Sequence, residues 1–216
     1  MINKYKHIIW DWNGTLLDDT EFCVGIMNGM LTRRMMSNIS KSYYKRIFTF
    51  PIRKYYEKIG LPIDDEQFVL LSKEFIYEYE LNRLTCGIFE GAEEVLQTII
   101  ELGLSQSILS AYSQNTLEEI VAHFGLTKYF SKIKGLDNIY ASSKIELGKQ
   151  LMSELGLLKG EALLIGDTLH DKEAAEAIGA DCVLIANGHQ DKTVLASSGI
   201  EVFDSITHFK NQYFKD

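Results

Sequence analysis

Positive charge is in short supply: 22 Lys and Arg stand against 30 Asp and Glu, a formal net charge of −8. That balance opposes adventitious binding to nucleic acid or to an anionic membrane, since both are polyanions. It would also mildly repel a phosphorylated compound, unless a metal and local cations reverse the sign inside a site. Proline occurs only twice and cysteine three times. Cys23, Cys86 and Cys182 are scattered, without CxxC or Cys/His ligand spacing, so free thiols in a reducing cytoplasm are expected. No apolar run approaches the length that crosses a bilayer. The first residues, Met1 to Lys6, lack the apolar stretch and small-residue cleavage site of a secretory signal. What remains is a composition of 46% hydrophobic and 24% charged residues, which can support a sizeable core. The expectation is a soluble, cytoplasmic protein of one large domain, or one domain with a modest insertion.

Two textures alternate along the chain. His7-Ile8-Ile9-Trp10 is a brief apolar run that suits a strand buried on both faces. From about Thr20 to Arg83 the period is helical: Phe22, Ile26, Met30 and Leu31 share one face, and Phe68, Leu71, Phe75 and Tyr79 another. Pro51 and Gly60-Leu61-Pro62 divide this stretch into three or four helices. After Gly87 strands and helices alternate. Helices are predicted over 92–102, 116–124, 144–155 and 172–178, and strands over 106–109, 132–134, 162–165 and 182–185. Alternation of that kind indicates βαβ units and a parallel sheet. The predicted fold class is α/β: a Rossmann-like parallel-sheet core, residues 1–18 and 86–216, with an all-helical cap domain, 19–85, inserted after strand one.

In open parallel sheets ligands bind beyond the carboxyl ends of the strands. After strand one comes Asp11-Trp12-Asn13-Gly14-Thr15, after 106–109 comes Ser110-Ala111, and after 162–165 comes Gly166-Asp167-Thr168-Leu169-His170-Asp171. Lys144 opens a helix. A carboxylate is a weak nucleophile, but it can take a phosphoryl group once the phosphate charge is neutralised. Asp11, Asp167 and Asp171 together make the hard oxygen set that Mg2+ prefers. Lys144 adds a positive charge, and Ser110 and nearby backbone N–H groups can bind phosphate oxygens.

These residues carry a resemblance. Asp11-x-Asn13-Gly14-Thr15, Ser110, Lys144 and Gly166-Asp167-x-x-x-Asp171 resemble the four ordered motifs of the haloacid dehalogenase-like superfamily, and Gly166 to Gly179 is similar to its phosphoglycolate phosphatase-like branch. The resemblance spans nearly the whole chain. It implies a five-stranded Rossmann-like core with a helical cap, and Asp11 as nucleophile. It places Asp11, Asp167 and the backbone carbonyl of Asn13 on Mg2+, with Asp171 completing the acidic site. Gly14, Thr15, Ser110, Ala111 and Lys144 would bind the phosphate of a small phosphorylated metabolite; nucleic acid and membrane are not expected partners. No particular metabolite and no oligomeric state is specified.

At one position the chain departs from the pattern. The family's phosphatases carry a second Asp two residues after the nucleophile, as general acid and base. Here Asn13 stands there, and an amide does not titrate; that role is typically worth roughly 10²–10⁴-fold in rate. Three readings follow: a phosphomonoester hydrolase, a feeble phosphate-binding relative with Asn13 as its lesion, or a mutase or phosphonate hydrolase. The last would want a reactive cap lysine, for which Lys41, Lys45, Lys54 and Lys58 are available. His170 and His189 could compensate for Asn13, though solvated loop histidines are the default expectation. Similarly, Arg33, Arg34, Arg53 and Lys54 read first as a solvated face. Tyr43, Tyr44, Phe48, Phe50, Tyr55 and Tyr56 read as packing within the cap rather than a substrate cage.

Overall fold

The structure is a computed structural model that describes residues 2–136 and 144–214. Strand β1 (His7–Trp10) leads into a two-residue strand β2 (Leu17–Asp18) and then four helices: α1 (Thr20–Arg33), α2 (Lys41–Ile47), α3 (Ile52–Ile59) and α4 (Asp65–Asn82). Strand β3 (Gly87–Ile88) pairs antiparallel with β2, so the chain leaves the helical segment beside the point where it joined it. Then follow α5 (Ala92–Glu101), β4 (Ser105–Ser113), α6 (Gln114–His123), β5 (Lys132–Leu136) and α7 (Lys144–Glu154). The chain closes with β6 (Ala162–Gly166), α8 (Leu169–Ile178), β7 (Asp181–Ile185), α9 (Lys192–Ala196), β8 (Val202–Phe203) and α10 (Ile206–Tyr213).

The main sheet has six strands in the order β5-β4-β1-β6-β7-β8, every neighbouring pair parallel. The chain runs outward from β1 to β4 and β5, then returns to build the other half from β6. Strand order therefore reverses beside β1, and the crevice this opens lies at the ends of β1, β4 and β6. Side chains of β1 alternate between faces. Ile8 and Trp10 join the core containing Leu96, Ile120 and Phe209, whereas Ile9 packs with Leu109, Leu147, Leu164 and Ala175. Trp10 also donates its indole N–H to Gln106 Oε1 at 2.9 Å. Trp12 is fully buried in the first core.

A third core belongs to the helical segment, where Met27, Leu31, Tyr44, Tyr55, Leu71 and Tyr79 meet. Its helices are bounded by ordinary devices. Ser40 Oγ accepts from Tyr43 N at 3.1 Å, Asp64 Oδ1 accepts from Gln67 N at 2.9 Å, and Gly60 ends α3 in the left-handed region at φ +86°. Leu71 has no exposed surface. Leu71→Ala should destabilise the protein by about 2–5 kcal/mol, read as a lowered midpoint in urea unfolding.

The sheet corrects the expected five strands to six. Val202–Phe203 is too short to display a period, yet Phe203 is buried against Phe209 and Tyr213 and pairs in register with Ile185. Helices α9 and α10 went unpredicted with it. Helix α8 begins at 169 rather than 172, because residues 169–171 also carry the site motif and their pattern is polar. Strand β4 runs on to Ser113, past the predicted 109.

Candidate active site

Backbone ladders deliver the first candidate site residues. Asp11 N donates to Ile165 O at 2.9 Å, extending the β1–β6 pairing by one residue and fixing Asp11 at the strand's end. Lys144, the first residue of α7, reaches the same place: its ammonium contacts Asp11 Oδ1, and Asp171 Oδ1 at 2.5 Å. All three side chains are buried. Asp167 follows β6, and carboxylate oxygens of Asp11, Asp167 and Asp171 lie within 4.8 Å of one another. Thr15 Oγ1 donates to Asp11 Oδ2 at 3.2 Å and lies 3.4 Å from Asp167 Oδ1.

Local structure sets these positions. Asp171 turns back to the start of α8, where its Oδ2 accepts from Thr168 N at 3.0 Å and Thr168 Oγ1 at 2.6 Å. It can do so because position 166 is glycine: a Cβ there would come within 2.3 Å of the Asp171 carboxyl carbon. Gly14 has φ +73°, and a Cβ would meet Asp167 Oδ2 at 2.3 Å. Its neighbour Asp167 also accepts from His189 N at 2.5 Å.

Three buried carboxylates stand beside one ammonium, which touches Asp11 and Asp171 but not Asp167, and their proton affinities reflect the shortfall. Burial raises Asp11 to about 6, with Asp171 adding to the rise and Lys144 opposing it. Burial likewise raises Asp167 to about 8; His189 opposes, and Asp11 and Asp171 add. Burial would raise Asp171 as well, but Lys144 outweighs it and holds that carboxyl below its usual range. Lys144, which burial alone would neutralise, is kept firmly charged by Asp11 and Asp171. An all-oxygen cluster short of positive charge fits a hard divalent cation such as Mg2+.

Asn13 is held by partners that sequence reasoning did not find. Its amide nitrogen donates to Asp19 Oδ2 at 2.9 Å and to Tyr79 Oη at 2.8 Å, and Tyr79 Oη itself donates to Asp19 Oδ2 at 2.8 Å. Asp19 Oδ1 accepts from Gly14 N at 2.9 Å and faces His189 Nε2 at 3.2 Å. Burial would raise Asp19, but the His189 charge outweighs it and lowers that carboxyl. Burial would lower His189, but Asp19, Asp167 and Asp11 lift it to about 9. The second ring nitrogen of His189 lies 3.0 Å from Tyr44 Oη. Asp19, Cys23 and His189 also have ligating atoms within 4.8 Å, but Asp19 is already saturated by these donors. The default expectation of solvated histidines is therefore corrected. His189 is 6% exposed, and His170 is half-buried, stacked on Phe50 with ring centroids 4.6 Å apart. Burial, and Lys144 after it, lower the His170 affinity for a proton.

Above this floor lies a cavity of about 620 Å³ whose walls come from both the sheet edge and the helical segment. Of the sequence-predicted residues, Asp11, Asn13, Ser110, Ala111, Lys144, Asp167 and Asp171 line it. Gly14 and Thr15 stand behind it, Thr15 with its hydroxyl on the carboxylates. Ser110 Oγ accepts from Tyr112 N at 3.1 Å, which leaves its proton free to donate. Tyr44, Phe48, Phe50, Tyr55 and Tyr56, expected only to pack, also form cavity wall. The cations of the helical segment singled out in the sequence do not face it: Arg33 and Arg34 pair with Glu74, Arg53 pairs with Asp65, and Lys54 is outside the lining. In the sequence Asp19 and Tyr79 are only a carboxylate before a helix and a helical aromatic; the fold is what brings them together at Asn13.

Comparison with known proteins agrees with this geometry. Residues 8–185 match the family described as haloacid dehalogenase-like hydrolase. The chain is 22% identical over 184 residues to the tyrosine-protein kinase PtkA of Mycobacterium tuberculosis, covering 84% of itself and 62% of that longer protein. It is 24% identical over 193 residues to a 5'-nucleotidase of Pseudomonas aeruginosa, covering 86% and 84% of the two chains. In fold it is similar to the crystal structure of a predicted phosphatase from Clostridium acetobutylicum, with a TM-score of 0.82, 18% identity, and coverage of 96% and 97%. With the family matched across β1 to β7, the chain belongs to the haloacid dehalogenase-like hydrolases.

Proposed function

We propose that this hydrolase is a Mg2+-dependent phosphatase that cleaves a small phosphorylated metabolite through a covalent phosphoryl-Asp11 intermediate. The observation that carries the reading is the buried triad of Asp11, Lys144 and Asp171 on the floor of the cavity. We take residues 1–18 and 86–216 as catalytic core and 19–85 as a cap that excludes bulk water. No helix among the described residues is long and apolar enough to cross a membrane, and we place the enzyme in the cytoplasm.

Asp11, Asp167, Asp171 and the backbone carbonyl of Asn13 would hold Mg2+, which when bound neutralises phosphate charge. Lys144 fixes the Asp11 carboxylate through Oδ1 and adds positive charge beside the incoming phosphate. Ser110 Oγ–H and the backbone N–H of Ala111 donate to phosphate oxygens. An Asp11 oxygen attacks phosphorus as the bond to the ester oxygen breaks; water then cleaves the acyl phosphate and regenerates Asp11. Asn13 supplies no proton to the departing oxygen, so turnover is slow on substrates whose alcohol leaves poorly. The phosphonate-hydrolase reading gains nothing from the cap: Lys45 Nζ is bound to Ala186 O and Lys58 Nζ to Ile47 O, and Lys144 is the one lysine among the described cavity residues.

Metal binding should leave a pH signature. Asp11 and Asp167 have folded-state affinities above their unfolded ones, so they contribute most stability at low pH and lose it as pH rises through about 6 and about 8. A cation that binds the deprotonated cluster reverses that loss. The magnesium-induced rise in melting temperature should therefore grow between about pH 6 and about pH 9. It should be much smaller in Asp167→Ala than in Glu74→Ala, a substitution far from the cluster. Equal shifts in Asp167→Ala and the wild type would place the metal elsewhere.

A further inference from the structure

The cavity's upper wall is aromatic and, among the described residues, lacks a spare cation. Tyr55, Phe68, Phe75 and Tyr112 stand among its lining residues with Phe48 and Phe50. Several already pack face or edge against one another: Phe48–Phe50 at 5.5 Å, Phe48–Tyr55 at 5.3 Å and Tyr79–Tyr112 at 5.8 Å between centroids. Among the described lining residues the groups able to carry positive charge are Lys144, His170 and His189. Lys144 is fixed between Asp11 and Asp171 at the phosphate end, and His189 is engaged by Asp19 and Tyr44. His170 lies stacked on Phe50. The internal stretch outside the described residues, 137–143, has no lysine or arginine in its sequence. Glu80, the one acid among the described residues of the upper wall, is answered by Tyr112 Oη at 2.6 Å and Arg83 at 3.2 Å.

From this we infer that the preferred substrate is a phosphate monoester whose organic part is bulky, uncharged and apolar, aromatic by preference, rather than a compact ester with a second anionic group. The inference rests on the phosphatase reading and adds the class of leaving group to it. Two physical arguments support it. A second carboxylate or phosphate entering this cavity would lose its hydration and meet rings and carboxylates instead of a counter-charge. A volume of about 620 Å³ is also that of a pocket for a ring-sized ligand. A glycolate group or a second phosphate would leave most of the apolar wall wet, whereas a planar ring can stack on it. An ammonium group can also sit in an aromatic cage, but a trimethylammonium would fill little of this volume, and Glu80 is already paired.

The test separates this inference from the hydrolytic reading by measuring binding and turnover apart. Benzyl phosphate and 4-carboxybenzyl phosphate have alcohols of similar leaving ability and differ in one distal anion. In the magnesium-loaded protein, kcat/KM for benzyl phosphate should exceed that for 4-carboxybenzyl phosphate and for phosphoglycolate by on the order of 100-fold. The same order should appear in calorimetric affinities of benzylphosphonate and 4-carboxybenzylphosphonate, which cannot be hydrolysed as phosphate esters. Phe75→Ala or Phe50→Ala, in whichever variant inorganic phosphate binds as in the parent, should weaken benzylphosphonate about tenfold. Selective binding of benzylphosphonate with no turnover of benzyl phosphate would sustain the ligand class and sink the hydrolytic reading. Equal or tighter binding of the carboxylated phosphonate would overturn the inference, as would preference for phosphocholine over benzyl phosphate.

Discussion

Asp11→Asn should bring phosphate release below detection, a drop of at least about 10⁴-fold, while the protein stays folded and melts at the same or a higher temperature. The loss follows from the proposed chemistry, because an amide oxygen cannot replace the carboxylate that attacks phosphorus. Retention of the fold follows from the geometry. Lys144 keeps its contact with Asp171 at 2.5 Å, so no buried ammonium is left unpaired. Thr15 Oγ1 still finds an oxygen or nitrogen at the position of Asp11 Oδ2. What the change removes is repulsion: burial and Asp171 both push Asp11 toward its neutral form, so a permanently neutral side chain is easier to bury. The comparison is best made in EDTA, where no cation masks the repulsion. A variant that kept most of the parent rate would rule out covalent chemistry at Asp11. One that lost both activity and its cooperative melt would show that Asp11 is needed to build the site.

How much of this arrangement was legible in the sequence depends on the distance over which each residue's position is decided. Asp11 and Asp167 directly follow short buried strands, Ser110 lies in the second half of β4, Asp171 is in the first turn of α8, and Lys144 opens a helix in the same βα series. Local period and chain order were enough to bring them to one edge. The helices between β2 and β3 were readable for the same reason: Leu71 and Tyr79 repeat on one face. Strand β8 was not, since two residues show no alternation and Phe203 is placed by contacts with Phe209 and Tyr213. Asp19 illustrates the deeper limit. In sequence it is the second of two aspartates before a helix. Only the return of α4, which brings Tyr79 to Asp19, and of the loop after β7, which brings His189, makes it the centre of a buried network. The cavity wall was missed likewise. Packing and lining looked like alternatives, but Phe48 does both, touching Tyr55 and His189 while facing the open volume.

That network bears directly on the sharpest consequence of Asn13. Replacing it by aspartate should raise turnover of an alkyl phosphate by up to roughly 10²–10⁴-fold, the usual worth of a general acid and base. The gain should be far smaller on an aryl phosphate with an acidic phenol, whose oxygen departs without a proton. The substitution is not neutral to the fold. Asn13 Nδ2 now donates to Asp19 Oδ2 at 2.9 Å, and a carboxylate there would face another carboxylate in a buried setting. One of the two must then hold a proton, which makes position 13 an acid with a raised affinity, as the departing alkoxide needs, but lowers stability at alkaline pH. Asn13→Asp should accordingly melt lower than the parent in EDTA at about pH 9. Adding Asp19→Asn should recover part of that loss, because the amide can then donate in the opposite direction. The preparation has its own hazard, since an Asn-Gly pair is prone to deamidation. In the fold Gly14 N, the atom that would attack the Asn13 side chain, is held by Leu17 O at 3.0 Å and Asp19 Oδ1 at 2.9 Å, which should restrain it. Peptide mass spectrometry of the assayed sample decides how much aspartate is present. If protein verified as Asn13 matches Asn13→Asp on the alkyl phosphate, the amide is no lesion and proton transfer runs through another group. His189→Gln and His170→Gln would then identify it. Loss of the alkyl-phosphate rate with the aryl rate retained would single out the residue responsible.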